Sequence, residues 1–531
     1  MSDAEFTRAI PGGEAIFLFG GIAMRRGGVT RALLRRMRLY ADARIKVRLL
    51  LTGHSHREDD ERAAIWRAWG LPESIEVRYF WRDAAPGGGG APADPLTSAA
   101  DEPGFTSIPA ESAAGSRVRF YRDGLLTKTK HFDPAGHLER IEHHDRARRV
   151  LSKEYFDVED RLVYVDEMDP EIGKPTLRRW FGRSGRCWLT SWLNPTGFLG
   201  PAVQHEPDTV AYDAFGQRVA RWIDEVIADA DAPVVFADRR NQDHALLALT
   251  HPGARKVAVL HNCHTTKPYR AQDPPRPDYR PLLEHIDAFD TVAVLTHQQH
   301  DDLARHFGAS NLAVINHPSP SPPILQVPRQ PGLLVAIARL EPQKRLDHAI
   351  RAFARAARRV PDARFHIYGS GSRIKALKEL VAKLGVNDRV QFRGFADRPM
   401  EVFASASAVV LSSVFEGFPL VLNEAMAVGT PFVAYDINYG PAEVIRNEVD
   451  GLLVPPGDIE ALAGAMARVL GDPGCAARLG DRAREVVDRF PEAVWTAEWI
   501  ELFTRLTTER RTTAGAAGAE ASARRVTAGE K

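Results

Sequence analysis

Cysteine is scarce in this chain: Cys187, Cys263 and Cys475 are the only three among 531 residues. They are widely scattered, so neither a disulfide framework nor a zinc ligand set can be read from them, and a reducing compartment fits best. An excess of charge is missing too. The 70 basic and 69 acidic side chains leave a formal charge of +1, which provides no global field for a nucleic acid. At the start of the chain, MSDAEFTRAIPGGEAIFLFG opens acidic and holds only a brief apolar run, neither a secretory signal nor a membrane span. A cytoplasmic protein with at most peripheral membrane contact is therefore expected. The G-x-G-x-x-G fingerprint is replaced after the first predicted strand by GGIAMRRGG, which argues against an NAD-dependent oxidoreductase. What the chain does have is length and 44% hydrophobic residues, enough for two globular domains plus insertions.

The most informative stretch is VLSSVFEGFPLVLNEAMAVGTPFVAYD, from Val410 to Asp436. It predicts a short buried strand, a loop carrying Glu416, Gly417 and Phe418, and a helix opening at Pro419, where a missing N–H leaves no intrahelical bond unmade. Gly429 ends that helix and Pro431 blocks its return before the strand PFVAY. A helix N-terminus suits a phosphate, and two carboxylates eight positions apart, Glu416 and Glu424, suit hydroxyl groups. Glu424 sits among apolar neighbours, where an unpaired carboxylate is costly. A polar, anionic ligand is implied.

Elsewhere the chain alternates strand and helix. Ala15 to Phe19 is a continuous apolar run typical of a buried parallel strand. Gly20 and Gly21 turn the chain, and Gly27 and Gly28 allow close backbone approach to a ligand. A helix from about Val29 follows, with Leu33, Leu34, Met37 and Tyr40 on one face. KVRLLLTG and IEVRYFW give two more strands, completing a first part over residues 1–82. Residues 83–116, with PGGGGAPADP at their heart, lack apolar periodicity and are expected to form a flexible loop. Over 117–200 the pattern changes to alternation and turns. HFDPAGHL parallels YFDVEDRL, and Phe132, Phe156 and Phe181 recur at separations of 24 and 25 (156 minus 132, 181 minus 156), which predicts a β-meander of hairpins.

The α/β rhythm returns over 201–320. Asp229-Ala230-Asp231 matches the letters of a metal motif but falls in a helix-ending turn. The strand KVAVL ends in HNCHTTKPYR, and strand ends collect ligands in open α/β sheets, so His261 and His264 are candidate active-site groups. H-x-x-H with Cys263 fails as a zinc site for want of further ligands. The proline-rich 321–331 reads as an interdomain linker. Beyond it, LLVAIARLEPQK places Arg339 and Lys344 at a strand end, where a planar fork and a point charge can hold a diphosphate. Gly369 and Gly371 follow the next strand, and Gly394 and Phe395 the one after it. The helix 491–507 closes a domain spanning 332–490, and a disordered tail is expected over 508–531.

E-G-F-x-L-x-x-x-E-A-M-A-x-G-x-P, from Glu416 to Pro431, resembles the E-x7-E signature of the retaining glycosyltransferases of family 4. The resemblance implies the α/β GT-B fold, two Rossmann-like domains facing a cleft. D-I-N-Y-G-P after the motif and the β-rich antiparallel insertion in the N-terminal domain look closest to teichoic acid α-glycosyltransferases and adhesin-glycosylating relatives. In those the insertion supports homo-oligomer assembly or acceptor docking. The implied activity transfers a hexosyl group, glucose or N-acetylglucosamine, from a UDP-sugar to a hydroxyl of a polymer, protein or small molecule, a cell-wall polyol-phosphate among them. By the same resemblance Glu416 contacts the donor sugar and Glu424 the ribose, Arg339 and Lys344 hold the diphosphate, and Gly394 adjoins the base. Gly28, Gly371, Phe418 and Leu420 complete the donor set, and His261 or His264, the latter slightly favoured, lines the active site. No metal or cofactor is required. A sugar-nucleotide epimerase and a non-catalytic nucleotide-binding or assembly subunit are the alternatives.

Overall fold

Apolar runs flanked by glycine become buried parallel strands in both halves of the chain. The computed structural model describes residues 12–22, 27–94, 97–112, 115–195, 197–321 and 325–508. The chain divides into two compact units, Met1–Ala258 with Ala288–Asp290 and Thr504–Lys531, and Val259–Asp287 with Thr291–Phe503.

In the first unit the strand Glu14–Phe19 is buried along its whole length, as a strand covered on both faces requires. Lys46–Leu51 and Pro233–Ala237 pair with it in parallel, Glu76–Tyr79 lies outside the former, and residues 255–258 lie outside the latter. Numbered along the chain, the order is 5-4-1-2-3, the doubly wound pattern. The helix Gly28–Asp42 buries Leu33, Leu34, Met37 and Tyr40. Residues 23–26 of the preceding glycine-rich turn lie outside the described residues.

Between the third and fourth strands of that sheet runs a ten-stranded antiparallel sheet, each strand paired with its chain neighbour, from Thr106–Ser112 to Val210–Tyr212. Val118, Phe120, Phe132, Leu138, Ile141 and Phe156 form one core on it. The two parallel sequence repeats make the same turn. Asp133 Oδ1 accepts the N–H groups of Ala135 and His137 at 2.8 and 3.0 Å, and Asp157 Oδ1 those of Glu159 and Arg161 at 2.9 and 3.0 Å. These are side-chain caps of a tight turn.

The expectation of a flexible loop over 83–116 needs correction. Thr106–Ser112, TSIPAES, is the outer strand of the antiparallel sheet, with Pro109 opposite Val118. The glycine run before it is fixed: Gly90 N–H bonds the Phe181 carbonyl at 3.0 Å, and a Cβ at Gly89 would lie 2.1 Å from the Trp81 carbonyl oxygen. Its composition reflects close backbone approach, which glycine alone permits. Residues 95–96 and 113–114 are outside the described residues.

The second unit contains a six-stranded parallel sheet ordered Val390–Gly394, Arg364–Tyr368, Leu333–Ile337, Ala408–Leu411, Phe432–Tyr435, Gly451–Val454. Along the chain this is 3-2-1-4-5-6, the Rossmann order. Leu346, Ala349, Ile350 and Phe353, spaced for one helical face, bury the helix Leu346–Ala356 in its core. In the expected linker, Arg329 Nη2 donates to the Gly429 carbonyl at 2.7 Å and Gln330 N–H to that of Ser405 at 2.8 Å, so 329–330 are held on this unit. Residues 322–324 are not among those described, nor is the tail from 509. The helix Glu492–Thr508 crosses the division, and at its end the Leu506 carbonyl accepts Arg255 Nε–H at 3.0 Å within the first unit. No helix among the described residues is long and apolar enough to cross a membrane.

The buried turn carboxylates give a direct test. Asp133→Ala or Asp157→Ala strips two backbone N–H groups of their acceptor and is expected to destabilise the first unit by about 1–3 kcal/mol in urea unfolding.

Candidate functional site

Leu333–Ile337 and Ala408–Leu411 are neighbours in the six-stranded sheet, and the strand order reverses between them. The crevice outside the carboxyl ends of two such strands is where open α/β sheets take ligands. The loop after the first strand carries Arg339 and Lys344, and the loop after the second carries Glu416. Lys344 closes the short turn Pro342–Lys344, and Arg345 follows in the left-handed region at φ 43°. Ser412 Oγ ties the loops together by donating to the Lys344 and Arg345 carbonyls at 2.9 and 3.0 Å.

Lys344 Nζ lies 2.5 Å from Glu416 Oε1, and both side chains are largely enclosed, at 14% and 10% exposure. Arg339 is exposed, with Nη2 3.4 Å from Gln343 Oε1. Gln343 grips the other loop twice: its Nε2 donates to the Phe415 carbonyl at 3.0 Å, and its own carbonyl accepts the Val414 N–H at 2.8 Å. The backbone of Glu416 is fixed on its other side, donating to Asn438 O at 3.0 Å and accepting from Tyr439 N–H at 3.0 Å. A Cβ on Gly417 would lie 2.3 Å from the His261 carbonyl oxygen, so the glycine between Glu416 and Phe418 lets two main chains touch.

The helix Leu420–Ala427 opens one residue later than expected. Pro419 is extended, with ψ 105°, and stands just before the helix rather than as its first residue. Leu420, first in the helix, and Glu424, fifth, are half-buried. Phe418 is 5% exposed, and its ring packs edge-on to His317 and Phe490 at 5.7 and 5.9 Å. It therefore belongs to the core cluster, and only its backbone could serve a ligand. Gly371 presses against the loop of Arg339, since a Cβ there would sit 2.6 Å from Leu340 O. Gly394, at φ +72°, accepts the Gly369 N–H at 2.6 Å beside Phe395, which is 61% exposed. Gly28 begins its helix in the first unit and is exposed.

The two histidines occupy different environments. His264 is 0% exposed, stacked on Tyr439 at 5.9 Å and edge-on to Phe307 at 6.0 Å, with Nδ1 3.4 Å from Gln299 Nε2. Burial, aided by His306, pushes its pKa down to about 4. His261 is half-buried, stacks on His317 at 5.8 Å, and contacts the motif through its carbonyl. Of the two, His261 adjoins the loop of Glu416, and His264 is packed as core. Gln343 and the backbone of residues 438–439 escaped the sequence reading. The available signals were the position of Gln343 one residue before Lys344 and the D-I-N-Y-G-P segment, whose Gly440, at φ +107°, sits where a Cβ would meet Pro419 Cδ at 2.5 Å.

Residues 321–486 match the family model described as Glycosyl transferases group 1. The chain is 40% identical over 319 residues to the exopolysaccharide phosphotransferase SCO2592 of Streptomyces coelicolor, a match covering 60% of this chain and 32% of that protein. It is 23% identical over 378 residues to the poly(glycerol-phosphate) alpha-glucosyltransferase of Bacillus subtilis, covering 68% of this chain and 55% of the relative. It thus spans about a third to just over half the length of these curated relatives. A point mutant of S. aureus TarM, crystallised with Fondaparinux, alpha-GlcNAc-glycerol and UDP, matches with a TM-score of 0.75 at 17% identity over 93% of this chain and 99% of that one. The fold is GT-B.

Because the folded state keeps His264 neutral while the unfolded chain protonates near pH 6.5, stability should fall as pH drops from about 6.5 to about 4 and level off below. The slope from this residue is about 1.4 kcal/mol per pH unit. Urea titrations at stepped pH should show a dependence shallower in His264→Asn than in the wild type by about that slope, the buried His54 and His366 contributing to both.

Proposed function

We propose that this chain, whose residues 321–486 form a group 1 glycosyltransferase domain within a GT-B fold, moves a hexosyl group from a UDP-sugar to a hydroxyl acceptor with retention of anomeric configuration. The observation that carries the reading is the Lys344–Glu416 pair, 2.5 Å apart at the reversal point of the six-stranded sheet, with Arg339 exposed in the same loop. Paired, each charge compensates the other in a largely enclosed setting. A nucleotide-sugar gives both a better partner: Lys344 and Arg339 take the diphosphate, and Glu416 takes hydroxyls of the sugar.

Transfer breaks the bond between the anomeric carbon and the β-phosphate oxygen and forms one to the acceptor oxygen on the same face. The acceptor proton leaves on the departing phosphate. Negative charge grows on that phosphate, and Arg339, Lys344 and the N–H groups opening the helix at Leu420 stabilise it, so the scheme calls for no metal. Glu424 holds the ribose, Gly394 and Phe395 adjoin the base, and His261 lines the donor side. Glucose or N-acetylglucosamine is the sugar, and a polyol-phosphate is one acceptor class, in line with what the matched glucosyltransferase and the TarM complex carry in their names. The antiparallel sheet serves acceptor docking or assembly with further copies of the chain.

Incubating the protein with UDP- and GDP-sugars and following nucleotide release, with and without hydroxyl acceptors, tests the reading. Release should require acceptor. Equal donor consumption without it indicates an epimerase, and binding without release a non-catalytic subunit. Arg339→Ala and Lys344→Ala should each lower turnover about a hundredfold, and a loss under about threefold removes the phosphate assignment.

A further inference from the structure

A cavity of about 310 Å3 opens in the first unit at the carboxyl ends of Glu14–Phe19, Lys46–Leu51 and Glu76–Tyr79, roofed by the antiparallel sheet. That volume suits a single ring or a short polyol. Its floor is backbone of Gly20, Gly21 and Gly53, the last so close that a Cβ would sit 2.1 Å from Gly20 O. One wall is aromatic: Tyr155 and Tyr164 stack at 4.4 Å with planes 21° apart, and His54 meets Tyr164 edge-on at 5.8 Å. The opposite chemistry is acidic. Glu58, Glu61 and Glu139 line the cavity, and no lysine or arginine does among the described residues.

The groups lining the cavity differ in how they are engaged. Glu58 is engaged by Arg82 at 2.8 Å and Glu61 by Ser55 Oγ at 2.9 Å, whereas Glu139, half-buried on the strand Leu138–His144, makes no hydrogen bond or ion pair among the described residues. Tyr79, 5% exposed, has a buried hydroxyl with no hydrogen-bond partner among the described residues, and the same holds for the buried His54 Nε2. Burial holds His54 neutral, its pKa pushed down to about 3, so it adds no positive charge.

An adjoining cavity shares Ser55, His56 and Glu58 and does contain Arg57, Arg82 and Arg161. Each of those is already paired: Arg57 with Asp60 at 2.7 Å, Arg82 with Glu58 and Asp59, and Arg161 with Asp157 at 2.8 Å and Glu159 at 2.9 Å. Among the described residues, a phosphate entering either space would meet carboxylates and no lysine or arginine that lacks a carboxylate partner, and like charges in a half-enclosed site are strongly disfavoured. Hydroxyl groups fit instead, because carboxylates accept from them and a tyrosine face takes the apolar face of a sugar ring.

We propose that this cavity binds an uncharged polyhydroxyl unit, a saccharide residue, and discriminates against phosphorylated chains through Glu139 and the Tyr155–Tyr164 stack. Resting on the transferase reading above, this makes a neutral sugar, rather than a polyol phosphate, the part of the acceptor that the first unit holds.

The test is saturation-transfer NMR on the full chain without donor, using maltose and N,N′-diacetylchitobiose as neutral probes and glycerophosphoglycerol as a phosphodiester of similar size. A disaccharide should bind and the phosphodiester should not. Glu139→Ala should weaken the sugar about tenfold, and Glu139→Lys should shift preference toward the phosphodiester, with the melting temperature of both variants unchanged. Tyr155→Leu should weaken the sugar as well. Phosphodiester binding equal to or tighter than sugar binding, no sugar binding at all, or sugar binding unaltered in both Glu139→Ala and Tyr155→Leu would each overturn the proposal. Nucleotide release measured on the same preparation reports separately: a chain that binds sugar but turns over no donor sinks the transferase reading and leaves the cavity assignment standing.

Discussion

The position of Glu416 is fixed by its main chain. Residues 412–419 run between two neighbouring segments, and each side holds them through backbone groups: Gln343 bonds Val414 and Phe415 on one side, and residues 438–439 bond Glu416 on the other. Gly417 against His261 leaves no room for a side chain. Buried N–H and C=O groups must be satisfied, so the loop has few alternative paths, and the carboxylate is delivered beside Lys344. The charged pair is then a consequence of a rigid frame, which is the condition under which electrostatic groups act without reorganising.

Much of this was legible in the sequence, for definable reasons. The strands of both parallel sheets are continuous apolar runs ended by glycine or a polar loop, and LLVAI and AVVL read as strands because burial on both faces removes alternation. Arg339, Lys344 and Glu416 stood out by their place in motifs that resemble the glycosyltransferase family, and Glu424 because a carboxylate within an apolar helix needs a partner. What was not legible depended on contacts distant in the chain. His264 and His261 are three residues apart with similar local sequence, and only the packing of Tyr439 and Phe307 separates a core ring from one beside the motif. Phe418 looked like a ligand contact by its place in the motif, yet its ring is taken by His317 and Phe490.

The glycine-rich run is the instructive error. PGGGGAP has the composition of a linker, and composition cannot distinguish glycine that frees a chain from glycine that lets it pass within touching distance of another. Here Trp81 and Phe181 supply the second backbone. Proline misled in the same way near residue 330, where a segment with the look of a tether is bonded to the second unit through Arg329.

The outer strands of the ten-stranded sheet differ in how they end it. Val210–Tyr212 is only three residues long, and Thr106–Ser112 carries Pro109 at its middle. Proline has no N–H to offer, so a foreign strand laid along that margin would meet a gap in its ladder, while the opposite margin is too short to template one. The meander is thereby closed to open-ended lengthening by β-addition, and any self-association it supports must use faces and side chains.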